Sequence, residues 1–298
     1  MKKSVSSTAV GTAVLLAVLC GTAPVAVADE QDAVDVVAEA SPGDIANAAD
    51  VALLDGGPVS LLIDGLSIEV PEDARDGLSI SAGAGAVTIG LPFAAAAAEG
   101  DATAPGTATY DNGNETSSVV VVHESGSLQV ATVIDDASAP TRYDYPIEVP
   151  SGASLQASDA GAVVVDAAGE VLGTFAAPWA KDAAGRDVPT RYEVDGNTLT
   201  QVVEHDAGYA YPIVADPVYT TSTVYISKAT VKQMYQGMNG IGNVCTVLPV
   251  PYWVGIACSG FPGRQAVEQA YWQNKRIKVS YVSCGFNYCS YNTFSVVS

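Results

Sequence analysis

From Val59 onward the apolar positions fall in short runs of β-branched and aromatic residues, separated by clusters of Gly, Pro, Asp and Asn. This period-two pattern predicts strands. The runs are Val59–Val70, Leu78–Leu91, Ala108–Asn112, Ser118–His123, Leu128–Ile134 and Arg142–Val149, then Ala162–Asp166, Glu170–Phe175, Thr190–Val194, Leu199–His205 and Tyr209–Val214. Between several of them stand turn residues able to take positive φ, as in Glu124-Ser-Gly-Ser127, Asp166-Ala-Ala-Gly169 and Asp195-Gly196-Asn197. Evenly spaced strands with tight turns, and no alternation of helix with strand, imply a mainly β fold built as an antiparallel sandwich or meander.

The pattern changes at Tyr211-Pro-Ile-Val-Ala-Asp-Pro217. Two prolines predict a stiff, extended junction over 211–222, following a β domain at 58–210. Beyond it, Ser227 is placed to cap a helix running to Gln236, and a second helix is expected from Arg264 to Lys275. Ile277–Cys284 and Cys289–Val297 alternate like two strands around a Gly285-Phe-Asn287 turn. The C-terminal part, 223–298, therefore reads as a small α+β domain.

Charge divides the chain at the same place. Asp29–Pro217 carries 5 Lys/Arg against 32 Asp/Glu, a formal −27, whereas Val218–Ser298 carries 6 Lys/Arg against the single Glu268, a formal +5. Aromatic residues follow the basic part, with 13 beyond Pro217 against 9 before it. Such asymmetry separates two functional units. Segment 29–57 has no basic and no aromatic residue and reads as an acidic, flexible leader with a transient helix.

At the start, Lys2 and Lys3, the apolar run Ala9–Leu19 and Ala26-Val27-Ala28 match an export signal over 1–28, with a small residue at both positions a signal peptidase reads. The run is short for a membrane span and lacks a basic stop-transfer flank, so no stable transmembrane anchor is expected. Leu19 before Cys20 is not the small residue lipoprotein processing requires, and Cys20 is assigned to the discarded signal. Four cysteines remain, Cys245, Cys258, Cys284 and Cys289. In an oxidising compartment an even set reads as two disulfides stapling the C-terminal domain. A zinc site is the competing use, but the spacing lacks two close Cys pairs.

Ala139-Pro-Thr-Arg-Tyr-Asp-Tyr145, Pro178-Trp-Ala-Lys-Asp-Ala-Ala-Gly185, Val188-Pro-Thr-Arg-Tyr192, Leu199-Thr-Gln-Val-Val203 and His205 ahead of Tyr211–Pro217 occur in that order. Together they resemble a group of exported proteins of high-GC Gram-positive bacteria. The resemblance covers about Gly90 to Pro217. It implies a shared β-rich domain ending in a YPxVADP-like junction, followed by a variable, Cys-containing C-terminal region, and it carries no catalytic residue with it.

Chemistry is sparse. His123 and His205 each lie in a strand-like run, where a histidine bonded to backbone is the plain reading, and GxSxG, HExxH and phosphate-loop signatures do not occur. No enzyme activity, cofactor or metal site is expected. The Asp-x-x-Gly turns at Asp166 and Asp182 supply carboxylates of the kind hard cations use, but the DxDxDG loop is missing, so solvated turns are expected. The run Gln233–Gly263 has no charge, and Pro249 and Pro251 within it would break a spanning helix. A hairpin closed by Cys245 and Cys258 is the plain reading, and interfacial insertion the other. Lys275, Arg276 and Lys278, with Trp253 and Trp272, have the cation-plus-aromatic composition suited to anionic lipid or a wall polymer at the cell envelope. Nucleic acid is not an expected partner, because export removes it, and oligomeric state is not encoded in any motif. The leading expectation is a secreted, non-enzymatic precursor whose acidic domain carries, and masks, a bacteriocin-like cationic effector. The alternative is a secreted structural or adhesion module that stays joined, and a hydrolase ranks third.

Cleavage after Ala28 and the pairing Cys245–Cys258 with Cys284–Cys289 are the expected outcomes for the secreted form, because each disulfide then closes a short loop. N-terminal sequencing checks the first. A non-reduced peptide map checks the second, and a link between the two pairs would refute it.

Overall fold

Period-two patterning produces two antiparallel sheets that share one core. The computed structural model describes residues 30–50, 59–63, 65–82, 85–102, 104–238, 261–282 and 291–298. The expected export signal 1–28, the four cysteines, Trp253, the Pro249/Pro251 run and the expected turn at Gly285–Asn287 lie outside the described residues. In chain order the body contains α1 (Glu30–Ala40), α2 (Pro42–Ala46), β1 (Val59–Ile63), β2 (Leu66–Val70), β3 (Leu78–Ala82), β4 (Gly85–Ile89), β5 (Thr107–Asp111), β6 (Thr116–Val122) and β7 (Ser127–Ile134). It continues with β8 (Arg142–Glu148), β9 (Ser154–Ser158), β10 (Gly161–Val165), β11 (Val171–Phe175), β12 (Trp179–Asp182), β13 (Thr190–Asp195), β14 (Thr198–Val203), β15 (Ile213–Asp216) and β16 (Val218–Thr221).

The first sheet runs β1-β2-β3-β4-β8-β14-β13. Its inward residues alternate as expected: in β8, Tyr143, Tyr145 and Ile147 are buried while Arg142, Asp144 and Glu148 face water. The second sheet runs from β5 through β6 to β7, then to β15 and β16, and outward to β12 on one side and β11, β10 and β9 on the other. Its central strands are buried on both faces, as the unbroken burial of β7 shows. One face, with Val120, Val122, Leu128, Val130 and Ile134, joins Ile68, Leu78, Ile89 and Tyr143 of the first sheet in the common core. The other face, with Val119, Val121, Ala131, Val133 and Val214, lies under Val34 and Val37 of α1.

That packing changes the reading of the acidic segment 29–57, which was expected to be a flexible leader. Val34 and Val37 are one helical turn apart with Ala33, Val36 and Ala40 beside them, so an apolar stripe seals the outer face of the sheet. Asp35 and Glu39 point to water. The helix is a third layer of the body.

The expected junction 211–222 also lies inside the fold. Ile213 sits opposite Ile134 of β7, and Thr220 sits opposite Ser127, so β15 and β16 keep one register across Pro217. Pro217 lacks only the N–H of that ladder, and its carbonyl still accepts from the Val130 amide at 3.0 Å. On its far side, β11 ends at Phe175 opposite Tyr219 and β12 starts at Trp179 opposite Asp216, leaving an extra residue and Pro178 across from Pro217. The segment is extended, as its prolines require, but it is a central strand of the sheet.

One residue, Ser222, separates β16 from β17 (Thr223–Ile226), which starts the C-terminal α+β unit. Here β17, β18 (Arg276–Val282) and β19 (Tyr291–Val297) form an antiparallel sheet in that order, joined to α3 (Lys228–Met238) and α4 (Phe261–Gln273). Ser227 caps α3 by accepting the Thr230 amide at 3.2 Å, as its sequence position predicts. Val224, Ile226, Ile277 and Val279 face Val231, Met234, Val267 and Ala270 of the helices. Tyr225, pointing the other way, belongs to the core of the body.

Val37 is fully buried. Replacing it with Asp should undock α1, at a cost of the order of 2–4 kcal/mol from lost burial and an unpaired buried charge. Hydrogen exchange should then show loss of protection across Glu30–Ala40 ahead of the second sheet; unchanged protection there would refute the docked helix.

Candidate functional site

Several ionisable groups of the body are committed to its own structure. Asp182 is buried, and its carboxylate accepts the amides of Ala184, Arg186 and Ala210 and the Arg186 guanidinium. Asp166 likewise accepts the Ala168 and Glu170 amides. Both Asp-x-x-Gly turns thus spend their oxygens on backbone donors, and no group of three metal-ligating side chains occurs among the described residues. His205 donates from Nε2 to the Pro140 carbonyl at 3.1 Å, with Nδ1 2.8 Å from the Tyr211 hydroxyl. His123 is buried at the end of β6, bridged through its backbone to Ala48.

The expected cation-plus-aromatic cluster is split by strand alternation. Arg276 and Lys278 flank the inward Ile277 and so lie on the face of β18 away from the helices. Lys278 sits opposite Tyr225, with its ammonium 5.8 Å from the centre of that ring. Trp272 is on the helical layer instead, 74% exposed. It stands edge-on to Tyr271 and Tyr235, which stack on each other at 3.8 Å and 6°. Lys232, one turn before Tyr235 on α3, is exposed, and Lys275 follows α4 at the entry to β18. The pair Arg264–Glu268 occupies the one acid of the unit at 3.1 Å. The outer layer is therefore an aromatic platform with a basic rim.

The patterning of single strands did not reveal a second feature, a groove of about 420 Å³ where the body meets the C-terminal unit. Its floor includes Ser127, Thr220 and Thr174, which lie directly opposite one another on β7, β16 and β11 and so share one face. Asn47, past the end of α2, bounds it on one side, and Tyr225, Ser227 and Thr230 bound it on the other. The signal for it in sequence was the run of hydroxyls from Thr220 to Thr223, but only the cross-strand register assembles them.

No helix among the described residues is long and apolar enough to cross a membrane. No family model, curated protein or solved structure matches the chain.

Two carboxylates give opposite responses to pH. Desolvation pushes the Asp182 pKa up, but the Arg186 and Ala210 donors more than offset it and hold it at about 2. Below its ordinary value of 3.8, this depressed group contributes stability above about pH 4 that is lost as pH falls toward 2. Asp135 is raised to about 6 by partial desolvation, then by the like charges of Glu115, Asp111 and Asp136. A raised carboxyl favours the fold when protonated, so its ionisation weakens the fold as pH rises from about 4 through 6. Asp135→Asn should therefore raise the Tm at pH 7.5 and leave it unchanged at pH 4. Asp182→Asn should lower the Tm at pH 7.5, with the difference shrinking toward pH 2. Thermal melts across this range check both signs.

Proposed function

We propose that the protein is exported and acts as one non-enzymatic body at the bacterial envelope, with an acidic β scaffold holding a cationic, aromatic C-terminal unit against an anionic, phosphate-bearing surface. The observation that carries this reading is the continuity of Ile213–Ile226: a central strand of the body leads through Ser222 into the first strand of the C-terminal unit, and Tyr225 is buried in the body's core. A protease needs a locally opened, exposed segment, and Pro217, Tyr219, Thr220 and Thr221 are all buried. The same burial works against a precursor that sheds its C-terminal part at 217–222, and so favours the joined module over the released effector.

Trp272 with the Tyr235–Tyr271 stack supplies an amphipathic anchor, and Lys232 and Lys275 supply charge beside it. The −27 of the body does not cancel this local field, because charges separated by more than about 8–10 Å are screened at physiological salt. Lys278, over Tyr225, helps join the two units.

The full-length secreted protein should bind vesicles containing anionic lipid, or purified phosphate-bearing wall polymer, and bind neutral vesicles weakly. Salt should weaken that binding. Replacing Lys232 and Lys275 with Gln should remove about 1 kcal/mol per cation, roughly fivefold each, and Trp272→Ala should add to the loss. The supernatant should contain the intact mature chain. Equal binding to neutral vesicles would overturn the reading, and accumulation of a C-terminal fragment beginning within 217–222 would restore the released effector.

A further inference from the structure

The groove between the body and the C-terminal unit differs from the cationic platform in its chemistry. No Lys or Arg lines it, and its charged wall is the single acid Glu124, with His123 beside it. Such a lining neither attracts anions nor assembles the several carboxylates a divalent cation needs. What it offers is hydroxyl groups. Ser127, Thr220 and Thr174 form a row across three adjacent strands, at the interstrand spacing of about 4.8 Å. Ser127 is engaged with Ser125 at 2.8 Å, whereas among the described residues the Thr220 and Thr174 hydroxyls have no hydrogen-bond partner. Thr220 is only 5% exposed, so its hydroxyl is held in place by the sheet and open only to the groove.

We infer that this groove is a binding site for a neutral saccharide of one or two sugar rings. Each Thr hydroxyl can both donate and accept, as can each sugar hydroxyl, so the two sets pair without any formal charge. The row of hydroxyls on one rigid sheet matches a ligand that presents oxygens along an edge, and the half-buried Tyr281 at the wall supplies aromatic surface for the C–H face of a ring. The volume of about 420 Å³ lies within the range of small-molecule sites. Because β16 and β17 form both floor and wall, the site exists only while the two units stay joined.

Calorimetry on the intact secreted protein with maltose and with N,N′-diacetylchitobiose tests this directly, with glucose 6-phosphate and glucuronic acid as charged controls. At least one neutral disaccharide should bind at micromolar to millimolar concentration, and the charged sugars more weakly. Thr220→Val and Thr174→Val keep the side-chain shape and should each weaken binding about fivefold or more through one lost hydrogen bond. Ser158→Trp, at the exposed rim of the groove, should block binding while leaving the circular dichroism spectrum and Tm unchanged, which covers the case in which the Thr variants fold poorly. The inference is overturned if neither neutral disaccharide binds, if a charged sugar binds more tightly, or if binding survives Ser158→Trp. Loss of anionic-surface binding through Trp272→Ala would leave this result untouched, so the two readings fail separately.

Discussion

The rest of the molecule depends on the register of one strand, Ile213–Thr221, against β7. It is the inner strand of the second sheet, so its position fixes β12 and β11 on one side and, through Ser222, the start of the C-terminal unit. A slip of one residue would turn Ile213 and Ala215 out of the core and Val214 away from α1, reversing every side chain of the strand. Polar pairs specify the register beyond hydrophobic alternation. Gln129 donates to the Asp216 carboxylate at 2.7 Å, and the Tyr192 hydroxyl donates to the Asp216 carbonyl at 3.3 Å, tying the strand to β7 and to the first sheet at one residue. Burying a carboxylate is expensive unless it is paired, so this arrangement tolerates few alternative alignments.

Proline inside a central strand is ordinarily destabilising, because it removes a ladder donor. The cost is contained here by placement. Pro217 still accepts through its carbonyl from the Val130 amide of β7, so only the return bond of that one pair is missing, and on the other edge the Val218 carbonyl still accepts from Ala176. Pro178 and Pro217 together divide the outer part of the sheet into the β12 side and the β11-β10-β9 side. That division shapes the groove, since β11 and β10 rather than β12 border the C-terminal unit there.

Legibility in the sequence followed how local each feature is. Most of the strand runs, the Ser227 cap and the α+β character of the C-terminal part rest on spacing within a few residues, and these are seen in the structure, whereas the run Tyr209–Val214 is irregular as far as Pro212 and strand only from Ile213. Val59–Val70 looked like one run because Gly65, at φ 87°, is the only strong turn residue described between two strands of equal polarity. The four-residue strands β12, β16 and β17 were missed since they are too short to show alternation, and β12 carries Lys181 and Asp182. Helix α1 was read as a transient element of a flexible leader for its acidity and lack of aromatics, although Val34 and Val37 already stood at helical spacing. Segment 211–222 was read as a junction from its prolines and from the change in charge and aromatic content there. Its central position follows from a pairing with β7 nearly eighty residues away, which no local pattern carries.

Sequence proximity also misled the grouping of candidate binding residues, and the reason bears on how the two surfaces work. Trp272 and Lys278 are six residues apart, yet a helix end and a strand reversal put them on opposite layers of the C-terminal unit. Lys278 meets Tyr225, whose ring belongs to the body, while Trp272 looks outward from the helices. The unit thus has an inner face that holds it to the scaffold and an outer face available to a partner. An effector meant for release would leave Tyr225 and Val297 exposed once freed, stripped of the core they pack against. A permanently joined module pays no such penalty. Its inner face stays buried and the groove beside that face stays formed, while the helical layer with Trp272 remains outward.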